Sequence, residues 1–222
     1  MSICIIPARS GSKRIKNKNI KKINGIPIIG IVIKTAIKSK LFKRIIVSTD
    51  SKKIATIARK YGAETPFLRS GKLSNDITPT YKVLIDAIYR LKTQNQPYHF
   101  CIYPTSILIN KNDLSKAYTK IKKTKMDFIF PVRKFENNPL RSFIIKKNLL
   151  RFAWPKYQSS RSQDLDNFYY DTGSFYIYKT KKLLKIKRNN ILLKKSTYIE
   201  LNKKLIDVNY PKDFEKLKKL LK

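Results

Sequence analysis

The chain has only two cysteines and one histidine among its 222 residues. Cys4 and Cys101 each lie in an apolar, strand-like run, and neither belongs to a motif with metal-ligand spacing. We therefore expect two buried, free thiols in a reducing compartment. His99 begins a predicted strand and is not placed to act as a base, so we interpret it as structural.

Long hydrophobic runs are also missing. The longest apolar run covers residues 26–33, which is far shorter than the roughly 20 residues that a membrane-spanning helix needs. The basic cluster near the N-terminus follows the first apolar stretch, which is the reverse of the order in a secretory signal. These absences predict a soluble, cytoplasmic protein that does not act in a membrane.

Acidic residues are few: 14 Asp and Glu stand against 50 Lys and Arg, and the formal net charge is +36 at pH 7. Such an excess is typical of proteins that bind nucleic acids or anionic membranes. The lysines are spread along the whole chain, however, without an RNA-recognition motif or a helix-turn-helix pattern. We interpret the charge as a solvated surface that attracts acidic substrates, and keep a noncatalytic nucleic-acid-binding protein as the distant alternative.

The first 132 residues alternate between strand and helix patterns. Apolar runs predict strands at residues 3–6, 44–47, 64–67, 99–103 and 126–132. Helical spacing predicts helices at about 27–39, 50–61, 83–91 and 113–123, the second capped by Thr49 or Asp50. A strand at 174–178 and an amphipathic helix from Pro211 follow. This order predicts an α/β fold with a mostly parallel sheet covered by helices.

The alternation breaks at about residues 134–170, where short β-like runs are joined by Pro, Asn and Lys. We interpret this stretch as a small β-rich excursion from the sheet and as a candidate dimerisation arm. Ligands of mostly parallel sheets bind at the carboxyl ends of the strands. The loops after Ile6, Val47, Phe67 and Tyr103 are therefore expected to line the functional site.

The most specific segment covers residues 6–19 and reads IPARSGSKRIKNKN. It places a loop with Gly and Ser directly after the first strand, where free backbone N–H groups can bind phosphate oxygens. Arg9, Lys13 and Lys18 add positive charge to this loop. The spacing of Gly and Lys excludes a Walker loop, and the residues alone support phosphate binding and a solvated basic loop about equally.

This segment resembles the nucleotide-binding signature of the acylneuraminate cytidylyltransferases, the CMP-sialic acid synthetases. Further matches follow in order at 45–50, 67–69, 73–76, 103–106 and Gly173, and the segments 128–132, 161–165 and 169–176 are most similar to the pseudaminic acid branch. The resemblance implies a single domain over residues 1–222 with a three-layer, Rossmann-like nucleotide-diphospho-sugar transferase fold. It also implies transfer of CMP from CTP to a nonulosonic acid, with pseudaminic acid preferred and sialic, legionaminic or ketodeoxyoctonic acid as alternatives.

The resemblance implies roles for individual residues. The nucleotide would be bound by Ala8, Arg9, Ser12, Asn19, Arg69 and Thr80. Catalysis and charge neutralisation at the phosphates would depend on Arg9, Lys13, Lys18 and Asp207. The sugar would be contacted by Tyr103, Thr105, Arg161, Gln163, Asp171 and Thr172. Sialic acid relatives carry a Gln at the position of Tyr103, and this departure favours a different nonulosonic acid.

The implied metal site departs from the family pattern. The family carries two Asp separated by one residue near the C-terminus, whereas this chain reads Asp207-Val208-Asn209. We expect Mg²⁺, or Mn²⁺ in its place, to be held by Asp207 and Asn209 together with substrate phosphates. The departure also leaves open a degenerate, inactive synthetase. No general base is identifiable, and Asp171 and a metal-bound water are the candidates. The implied partners are CTP, an acidic nine-carbon sugar and a second copy of the chain in a homodimer.

Overall fold

The computed structural model describes residues 1–187, 195–203, 206, 208 and 210–220. Its strands are β1 (Ser2–Pro7), β2 (Lys22–Ile23), β3 (Ile26–Pro27), β4 (Phe42–Ser48), β5 (Tyr98–Ile102), β6 (Phe128–Lys134), β7 (Phe143–Lys146), β8 (Leu149–Phe152), β9 (Tyr169–Asp171), β10 (Phe175–Lys179) and β11 (Ser196–Glu200). Its α-helices are α1 (Ile28–Ser39), α2 (Lys52–Lys60), α3 (Thr80–Arg90), α4 (Lys111–Lys123), α5 (Thr180–Leu183) and α6 (Pro211–Leu220).

One large sheet organises the described residues, with the strand order β11–β6–β10–β5–β1–β4 and with β9 paired to β6 beside this path. β4, β1, β5, β6 and β11 share one direction, whereas β9 and β10 run the opposite way. The predicted α/β fold with a mostly parallel sheet is confirmed. The carboxyl ends of the neighbouring strands β4, β1 and β5 therefore meet at one edge.

Strand β1 is buried on both faces because alternate residues enter two different hydrophobic clusters. Cys4 and Ile6 pack in the cluster that contains residues of α1 and α4, while Ile3 and Ile5 pack in the cluster that contains residues of α3. Complete burial of one such Ile side chain is worth about 2 kcal/mol. A strand covered on both sides has no polar face, which explains the continuous apolar run in the sequence.

The scarce residue types lie in this interior. Cys4 and Cys101 are buried, free thiols, and burial raises the pKa of both. The Nδ1 atom of His99 lies 2.8 Å from Thr180 Oγ1, and its Nε2 atom lies 3.0 Å from Thr93 Oγ1. Burial lowers the pKa of His99 to about 4. This neutral, hydrogen-bonded histidine confirms the structural interpretation.

The predicted strand at residues 64–67 is wrong. The segment forms only single bridges, Ile46 to Glu64 and Thr49 to Leu68, within the described residues. Pro66 lacks a backbone N–H and so interrupts a continuous ladder. The segment nevertheless follows β4, because Arg69 N donates to Thr49 O at 2.8 Å. It therefore delivers Arg69 to the carboxyl edge of the sheet.

The predicted cap of helix α2 is also wrong. Ser51 is the N-cap residue, and its hydroxyl accepts a hydrogen bond from Ile54 N at 3.3 Å. Asp50 instead accepts hydrogen bonds from Ser10 N at 2.8 Å and from Ser10 Oγ at 2.6 Å. Its carboxylate thus ties the loop after β1 to the end of β4, a tertiary contact that local cap preferences do not reveal.

Strands β7 and β8 form a hairpin that is separate from the main sheet. It lies within the predicted excursion, and nearly all of its residues are exposed. The use of this hairpin in dimerisation stays a prediction. Across the described residues, the structure has no helix long and apolar enough to cross a bilayer.

Candidate functional site

A cavity of about 620 Å³ opens at the carboxyl edge of the sheet. The loop after β1, the segment 69–80 and the residues that follow β5 line it. Three of the four loops expected to form the site therefore do so. The fourth, after β4, does not line the cavity, but its Asp50 holds Ser10 of the loop after β1.

The loop after β1 is held in place by side chains from within it and from its neighbours. The Nη1 atom of Arg9 donates to Gly11 O at 2.8 Å, and Asn19 Nδ2 donates to Arg9 O at 2.8 Å. Ala8 is buried, and its N–H donates to Ser48 O at 2.9 Å. The Ala8 amide is therefore occupied by the sheet, while Arg9, Ser12 and Asn19 line the cavity.

Positive charge is concentrated on one side of the cavity. Arg9, Lys13, Arg14 and Lys18 all line it. The Asp76 carboxylate forms ion pairs with both Arg9 and Lys13, the latter at 2.8 Å. Lys13 and then Arg9 lower the pKa of Asp76. Several cations on one wall suit a ligand that carries more than one negative charge, such as a polyphosphate.

Arg69 is a buried arginine at the cavity wall, with 5% of its surface exposed. Among the described residues its guanidinium has one hydrogen-bond acceptor, Ser74 Oγ, which lies 3.1 Å from Nε. Burial lowers the pKa of Arg69, while the nearby Asp50 carboxylate opposes this change. A guanidinium has five N–H donors, so most of those of Arg69 remain available to a ligand in the cavity.

Tyr103 and Thr80 both line the cavity and contact each other. Tyr103 Oη and Thr80 Oγ1, at the start of α3, lie 2.7 Å apart. Burial is the main cause that raises the pKa of Tyr103, so its phenol is neutral at physiological pH. The ring of Tyr103 meets the ring of Tyr176 edge to face, with centroids 5.9 Å apart. Tyr103 is thus a rigid, polar-tipped surface beside Thr105, another lining residue.

The other residues predicted to contact the sugar lie in different surroundings. Asp171 accepts hydrogen bonds from Tyr176 Oη and from Gly173 N. Thr172 Oγ1 donates to Pro131 O at 3.1 Å and lines a small pocket next to Thr105.

Arg161 and Gln163 are exposed in the excursion and do not line the cavity. Arg161 pairs with Asp164 at 2.7 Å. Within one chain, the structure therefore does not bring the Arg161 and Gln163 side chains to the site.

The proposed metal residues Asp207 and Asn209 lie outside the described residues. Val208, which separates them in sequence, is buried, and its carbonyl oxygen accepts a hydrogen bond from Lys18 Nζ at 2.6 Å. Lys18 lines the cavity, so this bond places the Val208 main chain at the cavity's cationic side. No cluster of three His, Cys, Asp or Glu residues suited to a metal occurs in the part of the chain that the structure describes.

Two carboxylates at the site had no predicted role there. The sequence favours a helix-cap role for Asp50, and it identifies Asp76 only as part of a segment that matches the family. The composition offers one signal for both residues. The chain has 14 acidic residues and 50 basic ones, so an acidic residue in a basic loop region is a candidate partner for the cations around it. Their partners, Ser10 for Asp50 and Arg9 with Lys13 for Asp76, depend on tertiary structure.

The chain is similar to known proteins along its whole length. It matches the family described as cytidylyltransferase over residues 3–221. It is 38% identical to the pseudaminic acid cytidylyltransferase of Campylobacter jejuni, with 100% of this chain and 96% of that protein covered. It is 30% identical to the CMP-N,N'-diacetyllegionaminic acid synthase of Legionella pneumophila, with 99% and 95% covered.

A solved structure confirms the fold. CMP:2-keto-3-deoxy-manno-octonic acid synthetase, solved in complex with CTP, matches this chain with a TM-score of 0.74 at 14% identity. The match covers 99% of this chain and 98% of that one. The predicted Rossmann-like arrangement of a mostly parallel sheet between helices is therefore correct.

Proposed function

Because the chain belongs to the cytidylyltransferase family, we propose that it joins CMP from CTP to pseudaminic acid and releases pyrophosphate. The observation that carries the proposal is the cavity at the sheet edge. Its wall combines several cations with the buried Arg69, whose guanidinium has one hydrogen-bond acceptor, Ser74 Oγ, among the described residues. The similarity to a pseudaminic acid cytidylyltransferase over the whole chain supports the choice of sugar.

In the proposed reaction the anomeric hydroxyl of the sugar attacks the α-phosphorus of CTP. A new bond forms between the α-phosphorus and the sugar oxygen, and the bond between the α-phosphorus and the oxygen that bridges it to the β-phosphorus breaks. Pyrophosphate leaves with that bridging oxygen, and the hydroxyl proton passes to solvent water. Arg9, Lys13 and Lys18 would neutralise the negative charge of the phosphates, and Lys18 would act nearest the α-phosphate. Cations held close to the phosphates can supply most of the rate enhancement by positioning the nucleotide and stabilising its developing charge.

We propose that the cytidine is bound at the wall formed by Arg69 and Thr80. The planar guanidinium of Arg69 can donate directed hydrogen bonds to ring and carbonyl acceptors of a pyrimidine. The Thr80 hydroxyl contacts Tyr103 and so holds the tyrosine in place next to the proposed cytidine site. Ser12 and Asn19 lie on the phosphate side of the same cavity and would orient the nucleotide along it.

We propose that a magnesium ion binds next to the phosphates. Asp207, with Asn209 and the phosphates, would hold Mg²⁺, or Mn²⁺ in its place, near the cationic side that the Lys18–Val208 bond marks. When bound, the ion would polarise the phosphate oxygens as a Lewis acid. The chain's own contribution is to orient the triphosphate and to limit its repulsion, through Lys18 and its neighbours on the loop after β1.

The sugar would lie beside Tyr103 and Thr105, next to the small pocket that Thr105 shares with Thr172. Asp171 is connected to this side through Tyr176, whose ring contacts Tyr103. The neutral phenol of Tyr103 can donate or accept one hydrogen bond, whereas the Gln that sialic acid relatives carry at this position has an amide with two donors and an acceptor. The two side chains therefore suit different sugars. Arg161 and Gln163 would reach a sugar only after the arm moves or from a second copy of the chain. A substrate carboxylate would be a suitable partner for Arg161.

The sugar assignment is tested by incubating the protein with CTP, Mg²⁺ and each of four sugar acids while pyrophosphate release is measured. We expect the largest kcat/KM with pseudaminic acid, and lower values with legionaminic, sialic and ketodeoxyoctonic acids. ATP and GTP in place of CTP are the controls and should give little product. A higher kcat/KM with legionaminic acid would favour the alternative, a CMP-legionaminic acid synthetase. Steeply salt-dependent DNA binding without any CTP turnover would contradict an enzymatic role.

We also propose a homodimer through the β7–β8 hairpin. Register places Phe143 opposite Phe152 and Ile145 opposite Leu150, so these four apolar residues share one face. Ile145 is 74% exposed and Leu150 is 62% exposed. A two-stranded hairpin is marginally stable alone, and contiguous exposed apolar surface marks interaction sites. A second copy of the same hairpin face is the partner we propose.

The double variant Ile145→Asp, Leu150→Asp is expected to be monomeric, because it places two charges in the proposed apolar interface. Light scattering coupled to size-exclusion chromatography measures the mass directly. Tyr89→Asp is the matched control, since Tyr89 is an exposed aromatic residue on α3 and its replacement should leave the dimer intact. A dimeric double variant, or a monomeric wild-type protein at micromolar concentration, would refute the proposal.

A further inference from the structure

The Asp76 carboxylate contacts two of the cations, Arg9 and Lys13, that the proposed function uses to bind the phosphates of CTP. It forms an ion pair with Arg9 and another with Lys13, at 2.8 Å from Lys13 Nζ. It is also the acidic residue that lines the cavity in the part of the chain that the structure describes. Arg9 and Lys13 cannot hold a phosphate oxygen at full strength while they share this carboxylate.

The segment that carries Asp76 is organised by its own hydrogen bonds. Asn75 Oδ1 accepts from Ile77 N at 3.1 Å and from Thr78 N at 2.7 Å, and Asn75 Nδ2 donates to Lys72 O at 3.0 Å. Asn75, Asp76 and Ile77 are exposed. These bonds lie within the segment, and Asn75, Asp76 and Ile77 belong to neither hydrophobic core cluster, so a displacement of Asp76 would leave both clusters intact.

We propose that Asp76 is a competing carboxylate, which exchanges Arg9 and Lys13 between itself and the phosphates of CTP or pyrophosphate. Partly exposed ion pairs are individually weak, so a ligand with several phosphate charges can displace Asp76. The same competition helps pyrophosphate to leave after the reaction. The segment is joined to the nucleotide wall, since Ser74 Oγ accepts from Arg69 Nε. The inference rests on the proposed function for its ligands.

Calorimetric titration of Asp76→Asn tests the inference, because Asn preserves the shape of the side chain and removes its charge. We expect CTP and inorganic pyrophosphate each to bind about tenfold more tightly than to the wild-type protein. Cytidine, which has no phosphate, should bind equally to both proteins. Glu215→Gln is the matched control, since it also removes one acidic charge but from a surface pair with Lys218 on α6. Its affinity for CTP should stay at the wild-type value.

A second variant isolates the contact itself. In a Lys13→Gln background, Asp76→Asn should increase pyrophosphate affinity less than it does in the wild-type background, since part of the competition has been removed. Equal or weaker CTP and pyrophosphate binding by Asp76→Asn would overturn the inference. A loss seen only in magnesium-containing buffer would also overturn it, and would identify Asp76 as a metal ligand.

The two proposals fail in different ways. If CTP does not bind to the wild-type protein but pyrophosphate binds more tightly to Asp76→Asn, the competing role of Asp76 stands and the proposed function fails. If CTP binds and turns over while Asp76→Asn changes no affinity, the proposed function stands and the competing role fails.

Discussion

Asp207→Ala is expected to lower CTP-dependent pyrophosphate release about a thousandfold or more, because a bound metal supplies several kcal/mol of charge stabilisation. In this chain the motif has one carboxylate, Asp207, where the family pattern has two. A single carboxylate plus phosphates is a sufficient set for Mg²⁺, but the Asp207-Val208-Asn209 motif then has no second carboxylate to compensate for a loss of Asp207. Steady-state assays at several magnesium concentrations measure the loss.

Asn209→Asp is the counterpart of this variant. It restores the second carboxylate of the family pattern, and we expect it to lower the magnesium concentration that gives half-maximal activity. Glu215→Ala removes one acidic charge, as Asp207→Ala does, and is the control for that variant, so it should retain full activity. Full activity of Asp207→Ala would remove the metal assignment, whereas an unchanged magnesium dependence in Asn209→Asp would place Asn209 outside the site.

The elements of the fold that local sequence determines were predicted well. The run of apolar residues at 3–6 predicted a strand, and the structure has β1 there, buried on both faces. Two predictions failed, the strand at 64–67 and the cap of α2. The first failed because of the covalent structure of a proline, and the second because of a contact with a residue far away in the sequence. Pro66 prevents a ladder in a segment that otherwise has strand-like residues. Asp50 does not cap α2, because Ser10, forty positions earlier in the chain, binds its carboxylate.

The candidate site was predictable in part. The loop after β1 was identified from its composition and position, because a strand followed by small and basic residues is typical of phosphate sites. The family resemblance indicates Arg69, and only the structure shows that it is buried and that its guanidinium has one hydrogen-bond acceptor among the described residues. The Asp76 ion pairs were not predictable, because no local pattern encodes which cations a loop carboxylate will contact.

Arg69→Met is the second variant with a large expected effect. We expect kcat/KM for CTP to fall about a hundredfold or more, because a truncated donor set leaves buried acceptors of the base unpaired. The free energy of unfolding should stay equal or increase, since replacing a desolvated charge by an apolar side chain of similar length often stabilises. Activity and stability would thus change independently, which distinguishes a binding role from a structural one.

Arg44→Met is the matched control for this experiment. Arg44 forms a bidentate pair with Glu64, with distances of 3.0 Å from Nε to Oε1 and 2.6 Å from Nη2 to Oε2, on the outer part of β4. Its removal should cost at most about 1 kcal/mol of stability, as for exposed ion pairs generally, and should leave kcat/KM unchanged. If Arg69→Met instead lost stability and kept its affinity for CTP, the buried guanidinium would be a support for the Ser74 segment. The nucleotide wall would then have to be sought at Thr80 and Tyr103.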